Sequence, residues 1–77
     1  MQDNKTYRGN KLEFKYGIAA QCRRLRESYG LTLEEFCNQS GMNINLVRKM
    51  EMGQVCDTDS LFLLAKFYDK KIRLEFY

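Results

Sequence analysis

Apolar and polar residues alternate in two short segments, one near each end of the chain. Alternation with a period of two predicts a half-buried β-strand. In segment 11–16 the apolar positions are Leu12, Phe14 and Tyr16. In segment 72–77 they include Ile72, Leu74 and Phe76. Because a lone strand leaves backbone N–H and C=O groups unpaired, we expect the second segment to pair with the first or with a second copy of itself.

Between these segments, apolar residues recur every three or four positions, which predicts helices. A first helix begins near Ile18 and ends at Gly30. Its apolar stripe is formed by Ile18, Cys22, Leu25 and Tyr29. A second helix covers 33–40 and begins with a capping box, in which the side chains of Thr32 and Glu35 bond each other's backbone N–H groups.

A glycine turn connects the second helix to a third. Gly41 permits a sharp turn, and Asn43 is a good N-cap for a helix over 43–52. A fourth helix is capped by Asp57 or Thr58. Its predicted inner stripe is Leu61, Leu64, Ala65 and Tyr68. A capped helix, a glycine turn and a second short helix, after a basic first helix, form the layout of a helix-turn-helix motif.

Length and composition favour one small domain. The chain has 77 residues, of which 44% are hydrophobic, and a formal net charge of +3. This size predicts a single domain over 11–77, preceded by a flexible polar segment over 1–10. The positive charge permits a polyanionic partner without requiring one. No apolar run is long enough for a signal peptide or a membrane span, so we expect a cytoplasmic protein.

The sequence lacks the residue patterns of catalytic and metal sites. There is no histidine, and the three cysteines have no C-x-x-C spacing, which argues against a zinc site. We expect the cysteines, which are Cys22, Cys37 and Cys56, to be buried reduced thiols. No glycine-rich phosphate loop occurs, and no pair of carboxylates has a persuasive spacing. The sequence therefore predicts no enzyme, no metal and no cofactor.

From Tyr16 to Ile72 the chain resembles the Xre/Cro family of phage-repressor-type DNA-binding domains. The matching segments are Ile18-Ala-Ala-Gln-Cys-Arg-Arg-Leu-Arg26, Tyr29-Gly-Leu-Thr-Leu-Glu-Glu-Phe-Cys37, Ser40-Gly-Met-Asn43, Val47-Arg-Lys-Met-Glu-Met-Gly53 and Leu61-Phe-Leu-Leu-Ala-Lys66. The resemblance implies an all-α, lambda repressor-like bundle of about five short helices, here with short flanking N- and C-terminal β-strands. It also implies a structural ion pair between Arg26 and Glu51, which would hold the recognition helix against the first helix.

The C-terminal segment adds a narrower likeness. A final strand over 72–77, in place of a last helix, is similar to HipB-like antitoxin and regulator domains. That similarity implies a homodimer through the terminal strands, with Ile72, Leu74 and Phe76 in the interface. If the chain is an antitoxin, its protein partner would be a toxin bound away from the recognition helix.

The family resemblance makes 43–52 the recognition helix, which lies in the major groove of double-stranded DNA. Asn45 would bond adenine, Arg48 would bond guanine, and Ile44 would meet a thymine methyl group. The predicted phosphate contacts are Asn43, Lys49, Arg23 and Arg24. The predicted function is a sequence-specific transcriptional regulator, either a repressor or an antitoxin-like autoregulator, that binds a short palindrome as a dimer.

Other interpretations of these residues remain open. Asn43 also fits a role as a helix cap alone, and Arg48 and Lys49 also fit an ordinary solvated surface. A second hypothesis is that the fold is a protein–protein interaction module with weak or no specific DNA binding. It depends on Leu33, Ile44 and Met52, which stand where the family usually has polar or basic residues. This hypothesis predicts that the three apolar residues form one open surface.

Overall fold

Four α-helices make up most of the chain that the computed structural model describes, which is residues 4–55 and 57–76, with side chains from Arg8 onward. The helices, in chain order, are α1 Asn4–Ser28, α2 Leu33–Ser40, α3 Ile44–Glu51 and α4 Thr58–Phe67. The all-α class is as expected, but the predicted five helices and two flanking strands are wrong. The described residues contain four helices and no strand.

Side-chain caps set the first residues of the three short helices. Thr32 and Glu35 form the predicted capping box, with Thr32 Oγ1 accepting from the Glu35 N–H at 3.1 Å and Glu35 Oε1 accepting from the Thr32 N–H at 2.9 Å. The bond that the Thr32 backbone N–H donates to the carboxylate, and after it an interaction of that carboxylate with the Thr32 side chain, lowers the pKa of Glu35. Asp57 caps α4 through a bond from the Ser60 N–H to Oδ2 at 3.1 Å. Such local signals are readable from sequence because both partners lie within one turn.

The chain does not form a fifth helix after α4 in the described residues. Asp69 has a φ of 55°, and the Lys70 N–H donates to the Ala65 carbonyl at 2.8 Å, so the helix ends in a left-handed turn. The segment 70–76 that follows has no regular secondary structure. The bundle therefore has one helix fewer than the family resemblance implied.

The predicted strand over 11–16 is wrong, because these residues lie inside α1. Its alternating apolar positions belong to two different faces of a helix. Tyr16 packs on the turn after α3, while Phe14 and Ile18, four residues apart, line a groove beside α4. A period of two over six residues therefore also arises from a helix that is apolar on two sides. No proline or cap interrupts α1 between Asn4 and Ser28, where lysine, leucine and glutamate favour the helix.

The predicted strand over 72–77 is also absent from the described residues, which end at Phe76. A strand needs a neighbouring edge for its hydrogen bonds, and the segment expected to supply one is helical. Ile72, Leu74 and Phe76 are all exposed, Phe76 by 90%. The described residues therefore contain neither of the two strands that were predicted to pair. Tyr77 lies outside the described residues.

The N-terminal half of α1 extends beyond the core. Its 25 residues correspond to about 37 Å of helix, yet the side chains from Arg8 to Phe14 are exposed and the first buried one is Ala19. The helix begins at Asn4, so most of the segment predicted to be flexible, 1–10, is helical, and residues 1–3 lie outside the described part. None of the described helices, including α1, has both the length and the hydrophobicity needed to span a lipid bilayer.

A single core holds α3 in place. The largest fully buried side chains of the core are Phe36, Val47 and Met50. Phe36 stacks on Tyr68 with ring centroids 5.4 Å apart, and Phe67 meets Phe36 edge-on at 5.0 Å. Cys22 and Cys37 are buried in the same cluster, as expected, whereas Cys56 lies outside the described residues. Because Val47 and Met50 point into this core, the opposite face of α3 is turned to solvent.

Candidate nucleic-acid interface

The first turn of α3 is organised by Asn43. Its Oδ1 accepts a hydrogen bond from the Leu46 N–H at 3.1 Å, and its φ and ψ of −69° and 125° are those of an N-cap. The side-chain oxygen is therefore engaged in capping. The backbone N–H groups of the first turn point toward the N-terminal end of the helix, where the helix dipole favours an anion.

The outward face of α3 carries three of the polar residues predicted to contact DNA bases or phosphates. Asn45, Arg48 and Lys49 are all exposed. Arg48 Nη1 donates to Asn45 Oδ1 at 3.3 Å, so these two side chains lie together, one helical turn apart. Ile44, the third predicted base contact, is half-buried and packs against the core cluster. The structure therefore brings Asn45 and Arg48 together and turns Ile44 partly away from them.

The C-terminal end of α3 is clamped to α1 by Arg26. Its Nε and Nη2 donate to the two carboxylate oxygens of Glu51 at 2.9 and 2.8 Å, and Nη1 donates to the Leu31 carbonyl at 2.9 Å. Both charged side chains are largely buried. The hydrogen bond to Glu51 raises the pKa of Arg26 above its usual value, so the guanidinium stays charged. The expected ion pair is present and does not face solvent, as a structural role requires.

Arg23, which is exposed, adds a second contact between α1 and the end of α3. Its Nη1 donates to the main-chain carbonyl of Glu51, one of the carbonyls that a helix end leaves without an intrahelical partner. Sequence reasoning assigned Arg23 to a phosphate. The capping role was missed because the two residues are 28 positions apart, a separation at which no local pattern signals contact.

Arg24 lies on a different face of α1 from the one that contacts α3. It lines the groove between α1, α4 and the C-terminal segment. Successive residues on a helix are rotated by about 100°, so Arg23 and Arg24 cannot both face α3. Of the four predicted phosphate contacts, the structure places Asn43 and Lys49 on α3 and its cap, and it places the two arginines elsewhere.

Tyr16 supports the turn that follows α3 and was not identified from the sequence. Gly53 has a φ of 76°, and a Cβ built on it would lie 2.5 Å from Cδ1 of Tyr16. The ring therefore occupies the space that any other residue at position 53 would need. With Arg23 and Arg26, this contact gives α1 three points of support along the end of α3.

The three apolar residues of the interaction-module hypothesis do not form one open surface. Leu33 and Ile44 are half-buried and pack against the core cluster. Met52 alone is exposed, by 54%. The surface of α3 is therefore polar and basic where it is most accessible.

This chain matches no protein family model, no curated protein and no solved structure.

Proposed function

We propose that this chain is a DNA-binding transcriptional regulator of the Xre/Cro helix-turn-helix type, acting in the cytoplasm, with α2 and α3 as the motif. The observation that supports this most directly is the two-sidedness of α3. Val47 and Met50 anchor one face in the core, while Asn45, Arg48 and Lys49 are exposed on the other. A short helix held rigidly with a polar face outward has the geometry needed to enter a major groove.

Each exposed side chain of α3 has a distinct chemical role in this proposal. The amide of Asn45 pairs with N6 and N7 of adenine, and the guanidinium of Arg48 pairs with O6 and N7 of guanine. The bond between them, 3.3 Å in the free protein, holds the two side chains next to each other on the exposed face of α3. Lys49 neutralises a phosphate, and the first-turn N–H groups beside Asn43 bind another.

The clamp residues have a supporting role. A recognition helix of eight residues is too short to be stable alone, and its angle to the rest of the domain decides which bases it reaches. Arg23 and Arg26 fix its C-terminal end. Two copies of the chain would place two such helices in successive major grooves about 34 Å apart, so the operator would be a short palindrome. We propose that this operator lies in the chain's own promoter, which would make the chain a repressor or an antitoxin-like autoregulator.

The test is a titration of the full chain against labelled duplexes, followed by fluorescence anisotropy. The first duplex is the region upstream of the gene and the second is its scrambled version, each at two salt concentrations. We expect binding to the first to be at least about a hundredfold tighter, with both affinities falling as salt rises. Equal, weak binding to both duplexes at low salt would contradict the proposal, because only the net positive charge would then be acting.

A further inference from the structure

A groove of about 650 Å³ lies on the side of α1 that faces away from α3. Its walls are α1, α4 and the segment 70–74. The α1 residues that line it, among them Gly17 and Gln21, are rotated by roughly half a turn from Tyr16, Arg23 and Arg26, which contact the end of α3. The groove and the candidate DNA-reading surface are therefore on opposite sides of one helix.

The groove has an apolar floor and a basic edge. The apolar lining includes Phe14, Ile18, Leu61, Leu64, Ile72 and Leu74. The basic lining consists of Arg24, Lys70, Lys71 and Arg73, against a single acidic residue, Glu13. Arg73 has a loose, exposed ion pair with Glu75 at 3.6 Å, which neutralises little in water. An excess of positive charge therefore borders an accessible apolar strip.

We propose that this groove docks an acidic amphipathic helix of another protein. The apolar side chains of such a helix would fill the floor between Ile18 and Leu61, and its carboxylates would face Arg24 and Lys71 along the edge. The proposal does not depend on DNA binding, and the opposite placement of the two surfaces allows both partners to bind together.

A second copy of this chain fits the groove less well. The chain has a net charge of +3, so a like-charged copy is repelled by the basic edge. The described helix with adjacent acidic residues is α2, with Glu34 and Glu35, but its large apolar side chain, Phe36, is buried in the core. α2 is therefore not the occupant, and we assign the groove to an acidic helix of a different protein.

The test uses a fluorescein-labelled synthetic peptide of roughly four helical turns and the full chain. Leucines stand at helical spacing on one face, and glutamates fill the other. The matched control peptide carries lysine at every glutamate position, so helix amphipathicity is kept and only the charge changes sign. We expect the acidic peptide to bind with a Kd on the order of 10 µM and the basic one at least about tenfold more weakly.

Two pairs of variants locate the binding site. Leu74→Ala removes an apolar side chain of the groove, and Leu63→Ala removes one of similar exposure outside it, 64% against 57%. Gln21→Glu adds a negative charge in the groove, and Gln39→Glu adds the same charge on α2. We expect the groove variants to weaken binding of the acidic peptide about three- to tenfold and the control variants to leave its affinity unchanged. All four variants should be equally folded by circular dichroism.

Three results would overturn the proposal. The first is equal binding of the acidic and basic peptides, or no binding at all. The second is an equal loss in Leu63→Ala and Leu74→Ala, which would mean that the groove is not the site. The third is a dimer in sedimentation experiments that Leu74→Ala dissociates, which would make a second copy of the chain the occupant.

Discussion

Arg26 donates hydrogen bonds from Nε and Nη2 to the two carboxylate oxygens of Glu51, at 2.9 and 2.8 Å, and these bonds join the end of α3 to α1. The same guanidinium bonds the Leu31 carbonyl in the connection between α1 and α2. One side chain therefore ties three parts of the motif together. The planar, bidentate geometry requires arginine, because a lysine ammonium cannot present two parallel N–H groups to a carboxylate.

Arg26→Ala is expected to lower the free energy of unfolding by about 3 kcal/mol, because it leaves the carboxylate of Glu51 buried without its partner. Urea denaturation followed by circular dichroism measures this change. The control is Arg24→Ala, two positions earlier and exposed, which should cost no more than about 0.5 kcal/mol. Equal losses in the two variants would show that the ion pair contributes nothing specific.

Gly53→Ala should destabilise the protein more than Gly30→Ala. Both glycines have positive φ, 76° and 69°, so alanine is strained at either position by about 1 kcal/mol. Only at Gly53 would the new Cβ also meet a ring, that of Tyr16, whereas nothing lies within 4 Å at Gly30. We therefore expect Gly53→Ala to lower the free energy of unfolding by about 2 kcal/mol in urea denaturation. The same substitution should lower it less in a Tyr16→Ala background.

Substitutions of Asn43 separate capping from DNA binding. Asn43→Ala should cost about 1 kcal/mol of stability, because it removes the acceptor of the Leu46 N–H. Asn43→Asp keeps that acceptor and should preserve stability, yet its negative charge should weaken DNA binding severalfold through repulsion by phosphate. Thermal denaturation and anisotropy titration report the two effects. Unchanged DNA affinity in Asn43→Asp would place the phosphate away from this helix end.

Arg48 and Lys49 are expected to differ in what they contribute to DNA binding. Arg48→Ala should reduce the free energy of DNA binding by about 1–3 kcal/mol and weaken the preference for one base at one position of the operator. Lys49→Ala should weaken binding to all sequences and lower the salt-dependence slope by about 1, since a single phosphate contact is lost. Titrations against operator variants at several salt concentrations distinguish these results. An identical salt slope for the two variants and the unmodified protein would contradict the assignment of Lys49 to a phosphate.

Tyr68 makes the fold sensitive to alkaline pH. Burial raises the pKa of its hydroxyl from 10.0 to about 12, so the folded state holds this proton more tightly than the unfolded state. Its contribution to stability is therefore fully present below pH 10 and is lost as the pH rises toward about 12. Tyr68→Phe should remove that part of the alkaline loss. Urea denaturation at a series of pH values tests this, and parallel pH profiles for the two proteins would contradict it.

Local signals in the sequence were sufficient to predict α2, the glycine turn and α3. The capping box at Thr32 and Glu35 and the caps at Asn43 and Asp57 act within one turn, so the starts of α2, α3 and α4 were readable from neighbouring residues. Helical spacing also placed Val47 and Met50 inward, where they are fully buried. The exposure of Asn45, Arg48 and Lys49 follows from the same periodicity.

The errors arose where the outcome depends on distant partners. Alternation over 11–16 is compatible with a strand or with a helix that has two contact faces. Only the positions of Gly53 on one side and of α4 on the other decide between them. Segment 72–77 has strand-like alternation, but a strand requires an edge to pair with, and α1 offers none.

The sequence by itself determined the three capped helices, their inward residues and the polar face of α3, because each depends on interactions between residues within a few positions of one another. Tertiary structure alone decided that Arg23 caps α3, that Arg24 borders a groove, and that Tyr16 covers Gly53. These contacts join α1 to elements far along the chain. Their energies depend on the angle and separation at which the packed core sets the helices, which no local pattern encodes.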